Sequence, residues 1–398
     1  MDLVIYPEKL AGTVTAIPSK SQAHRLLICA AFSNNSTQIH CPETNQDIEA
    51  TAACLNAIGA DILRTSDGYI VNPISTVPKS AEIDCRESGS TLRFMLPVVC
   101  ALGISTTIHM SGRLPYRPLS PMWEELERMG CKLSRPTDRT LYTSGKLKPG
   151  EYMIPGNISS QFITGLLLAL PLLNGPSSIQ VVGRLESAPY VKMTQDALAL
   201  FGVKSKEYLV EPAFPFNSPG RINVEGDWSN AAFFLVAACL ENSITVNNLN
   251  PSSSQGDRAV VSILTDNIGR PVISAANIPD LIPILSVYFA AKDGAVFTDI
   301  CRLRLKESDR VASVINMLGS LGIQAEADET TLRVPGGSFT GGTVDSCGDH
   351  RIAMAAAIAS TVANDRVTIL GAECVAKSYP SFWQEFKRLG GKYEQYIR

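Results

Sequence analysis

Apolar residues return along this chain in two rhythms, and the two alternate. In the first, they fall at i, i+3, i+4 and i+7, as Val311, Val314, Ile315 and Leu318 do, which is one face of an amphipathic helix. These segments close on Leu or Phe, three further residues and a Gly: 55–59, 126–130, 198–202, 318–322 and 386–390, with 264–269 one residue longer. Each Gly suits the left-handed position just past a helix end. In the second rhythm the run is apolar nearly all round, as in S-G-S-T-L-R-F-M-L-P-V-V-C-A-L. Such helices are expected to be buried. They begin near Ser19, Ser88, Ser159, Asp227, Pro279 and Asp349, each start carrying a small, capping or acidic residue.

Strand-like pieces separate the helices at 4–6, 37–40, 69–71, 106–110, 179–182, 221–224, 243–246, 296–299, 331–334 and 367–370. The result is six units of roughly 70 residues, each with two helices and several strands, the fifth trimmed. Three units per globule predict an α/β protein of two similar lobes, each a layer of sheet around buried helices. Pro, Gly and Asp at 13–19 and 219–227 mark the crossovers. Lobe 1 is therefore expected over 1–18 plus 226–398, and lobe 2 over 19–225.

Composition narrows the possibilities. Hydrophobic residues make up 45% and charged residues 18%, a globular profile. The net charge of -3 argues against a nucleic-acid partner, so any basic site must be local. The longest apolar run, 162–173, is broken by Thr164, Gly165 and Pro171, so no membrane span is expected. M-D-L-V-I-Y-P-E-K lacks the pattern of a secretory leader. Ten cysteines without a C-x-x-C pair fit a reducing cytoplasm, and with four histidines they suggest no metal centre.

Local charge gathers where helices begin. Arg302, Arg304, Lys306 and Arg310 surround Glu307 and Asp309 at the predicted start of the helix that runs to Leu318. Cations there oppose the helix dipole, as expected where an anion is to be held by free backbone N–H groups. Ser19, Lys20, Ser21 and Arg25 open the first buried helix, and Glu87-Ser88-Gly89-Ser90 leads to Arg93 in the second. Ser159-Ser160-Gln161 opens the third and Asp349-His350-Arg351 the sixth. Arg113 and Arg117 flank L-P-Y before an outer helix expected from Pro118, and Lys377 precedes S-Y-P. Together these starts predict a site of excess positive charge and many hydroxyls, suited to ligands carrying phosphate and carboxylate. Asp280 reads either as a helix-start carboxylate or as a base; Glu307 reads either as an ion-pair partner of Lys306 or Arg310 or as a proton shuttle.

These motifs resemble one family over essentially the full length. S-K-S-Q-A-H-R at 19–25 is similar to the S-K-S-x-x-x-R of EPSP synthases, members of the enolpyruvyl transferase group, and G-S-T-L-R-F at 89–94 to their G-T-A-x-R-F. S-S-Q-F at 159–162, E-G-D-W-S at 225–229, I-P-D at 278–280, R-L-K-E-S-D-R at 304–310, D-H-R-I-A-M at 349–354 and A-K-S-Y-P at 376–380 follow in family order. The resemblance implies a two-lobed inside-out α/β barrel of six βαβαββ units with parallel buried helices and the active site in the interlobe cleft. It implies a transferase that joins phosphoenolpyruvate to the 5-hydroxyl of shikimate 3-phosphate, releasing phosphate, in chorismate and aromatic amino acid biosynthesis. No cofactor or metal is implied, and a cytoplasmic monomer is expected.

The resemblance also assigns residues. Lys20, Asp280 and Glu307 would be catalytic: Asp280 as base at the 5-hydroxyl, Glu307 as proton donor to and acceptor from the methylene carbon of phosphoenolpyruvate, and Lys20 at its phosphate. Lys20, Gly89, Arg93, Arg113, Gln161, Arg310, Arg351 and Lys377 would hold phosphoenolpyruvate. Lys20, Ser21, Arg25, Ser159, Ser160, Gln161, Ser187, Asp280 and Lys306 would hold shikimate 3-phosphate, Ser187 resting on S-A-P-Y at 187–190. The loop 112–118 has no Cys, unlike the sister enzymes acting on UDP-N-acetylglucosamine. Glu87 stands where many members carry Asn, an anion expected to need Arg86 or Lys20 as a partner.

Overall fold

The computed structural model describes residues 1–266 and 269–396. The repeated glycines end helices by one device. After the helix Gln46–Ala57, Gly59 adopts φ +108°; its N–H bonds to Asn56 O, and the next N–H, of Ala60, reaches back to Leu55 O. That is a Schellman closure, with the motif Leu supplying the carbonyl three positions inside the end. The same pair of bonds recurs at Gly202, Gly322 and Gly390, where Val203, Ile323 and Gly391 reach Leu198, Leu318 and Phe386. Gly130 follows the helix Met122–Arg128 in the same left-handed conformation. Gly269 has φ +77°, but residues 267–268 before it lie outside the described residues.

The chain divides into two units, Pro18–Glu225 and Met1–Ile17 with Gly226–Arg398. In the first, the sheets run Arg221–Asn223, Thr37–His40, Gly68–Asn72, Asp61–Thr65; then Ser80–Asp84, Ser105–His109, Thr140–Gly145, Cys131–Thr137; then Glu151–Pro155, Ser177–Val182, Leu209–Val210. In the second they run Gly342–Asp345, Val367–Leu370, Asp2–Tyr6, Lys392–Tyr396; then Val272–Ser274, Gly294–Thr298, Thr331–Pro335, Glu326–Ala327; then Ser243–Asn247 with Ala11–Thr15. Every four-stranded sheet opens with a parallel pair and continues antiparallel. No hairpin follows the helix Val260–Asp266 among the described residues, so the sheet of Ser243–Asn247 has two strands, which shortens that repeat.

Burial follows the two rhythms. Strands alternate with period two, and Ile83, Ile108 and Leu141 line up in register on the inner face. The helices Gly89–Leu102, Ser160–Ala169, Ile282–Ala290 and His350–Ser360 are buried along nearly their whole length, whereas Gln46–Ala57 and Arg310–Ser320 bury one face. Each unit closes around its own apolar core.

One close approach positions functional side chains. Pro97 lies inside the helix Gly89–Leu102 and has no N–H to give Arg93 O. Gly165 of the neighbouring helix sits against that carbonyl, where a Cβ would collide with it and with Pro97. The two helices meet closely for that reason, one turn from Arg93 and Gln161.

Three helix starts differ from expectation. The outer helix after 118 begins at Met122, and the buried helix near 279 begins at Ile282. The cationic stretch is not one helix. Cys301–Leu305 forms a 3-10 turn, Lys306 is extended, and the helix starts at Arg310 because Asp309 caps it by accepting from Ala312 N–H. Of the four cations only Arg310 lies in an α-helix.

Candidate active site

In the unit Met1–Ile17 with Gly226–Arg398, helix starts converge on Arg310, whose side chain is 1% exposed. Its Nε donates to Asp349 (2.9 Å), Nη1 to Asp280 (2.7 Å) and Nη2 to Glu307 (2.7 Å). Asp280 also accepts from Arg351 Nη2 at 3.1 Å and lies 3.5 Å from Lys306 Nζ. Arg351 further donates to Asp280 O and to Ser229 Oγ. Asp349 caps the helix His350–Ser360 through Arg351 N–H and accepts from Ser308 Oγ. Three cations thus face three carboxylates in a mostly buried network. Buried charges persist only when paired and hydrogen-bonded in this way.

The same geometry shows what holds each acid. Asp280 does not cap Ile282–Ala290, whose start shows no side-chain cap; its carboxylate belongs to the cations. Burial pushes its carboxyl up, but Arg351, Lys306 and Arg310 outweigh that and hold it well below the usual range. Asp280 is therefore ionised at neutral pH. Burial pulls the Lys306 ammonium down to about 8, against the opposing pull of Asp280. Burial also acts to lower Arg310, and the three carboxylates, Asp349 first, reverse this and raise it. Glu307 pairs with Arg310. Lys377 ends the 3-10 turn Ala372–Lys377, beside Ser378, whose hydroxyl accepts from Asn230 Nδ2.

In the unit Pro18–Glu225, Lys20 begins the helix Lys20–Ala31 and pairs with Asp47 at 2.9 Å. Arg93 Nη1 donates to Gln161 Oε1 (3.0 Å), Nη2 to Pro118 O (2.9 Å), and Gln161 Nε2 donates to Ser90 Oγ (2.9 Å). Gly89 sits in a cationic cradle: a Cβ there would lie 2.7 Å from a guanidinium nitrogen of both Arg93 and Arg117. Arg113 is exposed; Arg117 is the arginine of its loop that reaches Gly89. Gly112, at φ +53°, lies directly against the Glu87 carboxylate, which seats that loop.

Ser159 caps the helix Ser160–Ala169 by accepting from Gln161 N–H, and Ser160 is buried. Ser187 is buried with φ +56°, a left-handed conformation that costs a serine free energy and points to a positional demand. Arg25 is buried over Phe94 and gives four of its five N–H donors to Thr194, Thr164, Tyr190 O and Ser21 O. These bonds tie the helix Lys20–Ala31 to Ala188–Leu200. Sequence reasoning passed over Asp47, Thr51 and Thr91. An acid in the first turn of a helix two residues after the Asn45 cap was the one available signal for Asp47.

Two units of sheet around buried helices, with arginine, lysine and carboxylate at the helix starts, define an α/β protein built to hold small anions beside carboxylates. A family model described as EPSP synthase (3-phosphoshikimate 1-carboxyvinyltransferase) matches residues 4–386, and the chain belongs to that family. It is 38% identical over 430 residues to the 3-phosphoshikimate 1-carboxyvinyltransferase of Clostridium beijerinckii, covering 99% of each chain. With the protein of that name from Clostridioides difficile it shares 37% over 431 residues, covering 99% of this chain and 98% of the other. The solved EPSP synthase of Acinetobacter baumannii has the same fold, with TM-score 0.81 at 23% identity over 99% of this chain and 100% of that one.

Proposed function

We propose that this chain transfers the enolpyruvyl group of phosphoenolpyruvate to the 5-hydroxyl of shikimate 3-phosphate, giving 5-enolpyruvylshikimate 3-phosphate and inorganic phosphate. Family membership supports the reaction class. The observation that carries the reading is the Arg310 network, which holds an ionised Asp280 and a Glu307 within reach of the same guanidinium. An anion binder needs the cations; it does not need two carboxylates held among them.

In this reading Asp280, kept ionised, takes the proton of the 5-hydroxyl as the C–O bond forms. Glu307 gives a proton to the methylene carbon of phosphoenolpyruvate and removes one when phosphate leaves. Arg310, Arg351 and Lys377 hold phosphoenolpyruvate, together with Lys20, Gly89, Arg93, Arg113 and Gln161. Ser21, Arg25, Ser159, Ser160, Gln161, Ser187, Lys20, Asp280 and Lys306 hold shikimate 3-phosphate, Arg25 through its one remaining N–H. Incoming anions compete with Asp280 and Glu307 for Arg310, so substrate binding frees the carboxylates for proton transfer.

We assign the protein to the cytoplasm as a monomer, acting on two small molecules, with no nucleic-acid or membrane partner. No helix among the described residues is long and apolar enough to cross a membrane, and six of the ten cysteines are buried thiols. Phosphate release assayed with both substrates, then with each alone, tests the reaction. Release only with both supports it; no release with both, or equal release from phosphoenolpyruvate alone, overturns it.

A further inference from the structure

A chain of buried hydroxyls runs beneath the helix starts of the unit Pro18–Glu225. His24 Nδ1 lies 2.7 Å from Thr51 Oγ1, and Thr51 Oγ1 lies 2.7 Å from Thr91 Oγ1. Thr91 Oγ1 is 2.8 Å from Ser88 Oγ and 3.3 Å from Asp47 O. Ser88 in turn caps the helix Gly89–Leu102 by accepting from Thr91 N–H. Asp47 carries the side chain that pairs with Lys20. One connected network therefore ties three helices, Lys20–Ala31, Gln46–Ala57 and Gly89–Leu102, and ends at Lys20 on one side and at Ser88 beside Gly89 on the other.

Histidine 24 is costly where it stands. It is fully buried, and its Nε2 has no hydrogen-bond partner among the described residues. Its ring packs edge-on to Phe94, an environment that an apolar side chain would fill without stranding a polar atom. Burial holds the imidazole neutral, down to about 3, with Lys20 and Arg25 adding to the effect and Asp47 opposing it. The ring then carries one N–H, and its single polar contact is with Thr51. Each hydroxyl has one proton, so the direction in which the first bond donates orders the next, and the chain polarises as a unit.

We infer that His24, Thr51 and Thr91 are positioning residues that act through Ser88 on the start of the helix Gly89–Leu102, and so set affinity for phosphoenolpyruvate more than for shikimate 3-phosphate. The inference rests on the proposed function. None of the three touches substrate in that reading; they act through Ser88 on the helix start that carries Gly89 and Arg93, both assigned there to phosphoenolpyruvate alone.

Steady-state kinetics of Thr91→Val and Thr91→Ser test it. Valine matches threonine in shape and removes the bonds to Thr51, Ser88 and Asp47 O. Serine keeps them. The expected result is a rise of about tenfold in KM for phosphoenolpyruvate in Thr91→Val, the fold-change that one net hydrogen bond corresponds to. The KM for shikimate 3-phosphate should stay within about twofold, and Thr91→Ser should match wild type. Thr51→Val, which cuts the chain at its middle, should shift the same constant in the same direction, and it decides the matter if Thr91→Val does not fold. Equal effects on both KM values, no effect in either valine variant, or a serine variant as impaired as valine overturns the inference while wild-type turnover stands. A wild type without turnover on the two substrates overturns the proposed function, and this inference with it.

Discussion

Replacing Arg310 with methionine removes the cation at the centre of the ion network while keeping length and an apolar stem. Asp349, at 0% exposure, loses the 2.9 Å bond but keeps Ser308 Oγ and Arg351 N–H. Asp280 keeps Arg351 and Lys306. Glu307, at 16% side-chain exposure, can turn toward water. Taking one partner from a buried pair typically costs about 3–5 kcal/mol, and the surviving donors place this case near the lower end, at about 3 kcal/mol. That is a large part of the 5–15 kcal/mol by which domains are usually stable. Urea denaturation followed by far-ultraviolet circular dichroism and tryptophan emission measures it, because Trp228 and Trp383 lie in the unit that holds Arg310. The transition of that unit should move to lower urea, with the other unit's transition unchanged. Arg310→Lys should recover only part of the loss, since one ammonium cannot reproduce a three-way fork. An Arg310→Met protein within about 1 kcal/mol of wild type would show that the three carboxylates do not depend on this guanidinium.

Other consequences are equally specific. Gly89→Ala puts a methyl 2.7 Å from two guanidinium nitrogens; KM for phosphoenolpyruvate should rise on the order of tenfold with thermal stability nearly unchanged, and an unchanged KM would contradict the cradle. Lys306 loses its charge as pH rises through about 8, so KM for shikimate 3-phosphate should climb above that pH in wild type but stay flat in Lys306→Arg; equal profiles would remove Lys306 from the binding set. Because that folded value lies below the ordinary lysine value, the unfolded chain holds more protons between the two, and this group's contribution to stability grows with pH across that window. His24 is depressed to about 3, so the unfolded chain gains a proton first as pH falls below about 6.5, and stability drains away from there downward. His24→Leu should lose about 2–3 kcal/mol less than wild type between pH 7 and about 4.5; an identical loss would show that His24 does not titrate on unfolding.

The fold was legible where local rules act alone. Leu or Phe, three residues and Gly is the hydrogen-bond pattern of a helix end written in sequence, and it marked the outer helices because nothing distant competes with a left-handed glycine. The strands 37–40 and 367–370 were equally plain, with buried β-branched residues on alternate positions. Strands such as Cys131–Thr137 and Lys392–Tyr396 were not, because their polar, mostly exposed residues carry no periodic signal; pairing with Thr140–Gly145 and Asp2–Tyr6 makes them strands. The candidate site shows the same divide. Its cations stood out at helix starts, and so did Glu307 beside Arg310, but the distant pairings did not. Asp47 meets Lys20 across 27 positions, Asp349 meets Arg310 across 39, and Thr91 meets Thr51 across 40. Such long-range pairing balances the charge around Arg310, and local spacing holds no record of it.

In the proposed mechanism Glu307, held on Arg310, moves protons to and from the methylene carbon of phosphoenolpyruvate. Turnover in deuterium oxide tests it, with the product read by proton NMR and mass. Transient conversion of that methylene to a methyl requires wild-type product to carry solvent deuterium at the vinyl carbon, and Glu307→Gln should cut turnover by about 10²–10⁴ without restoring protium-only product at a normal rate. Wild-type product free of deuterium, or a glutamine variant that turns over and exchanges like wild type, would contradict the account.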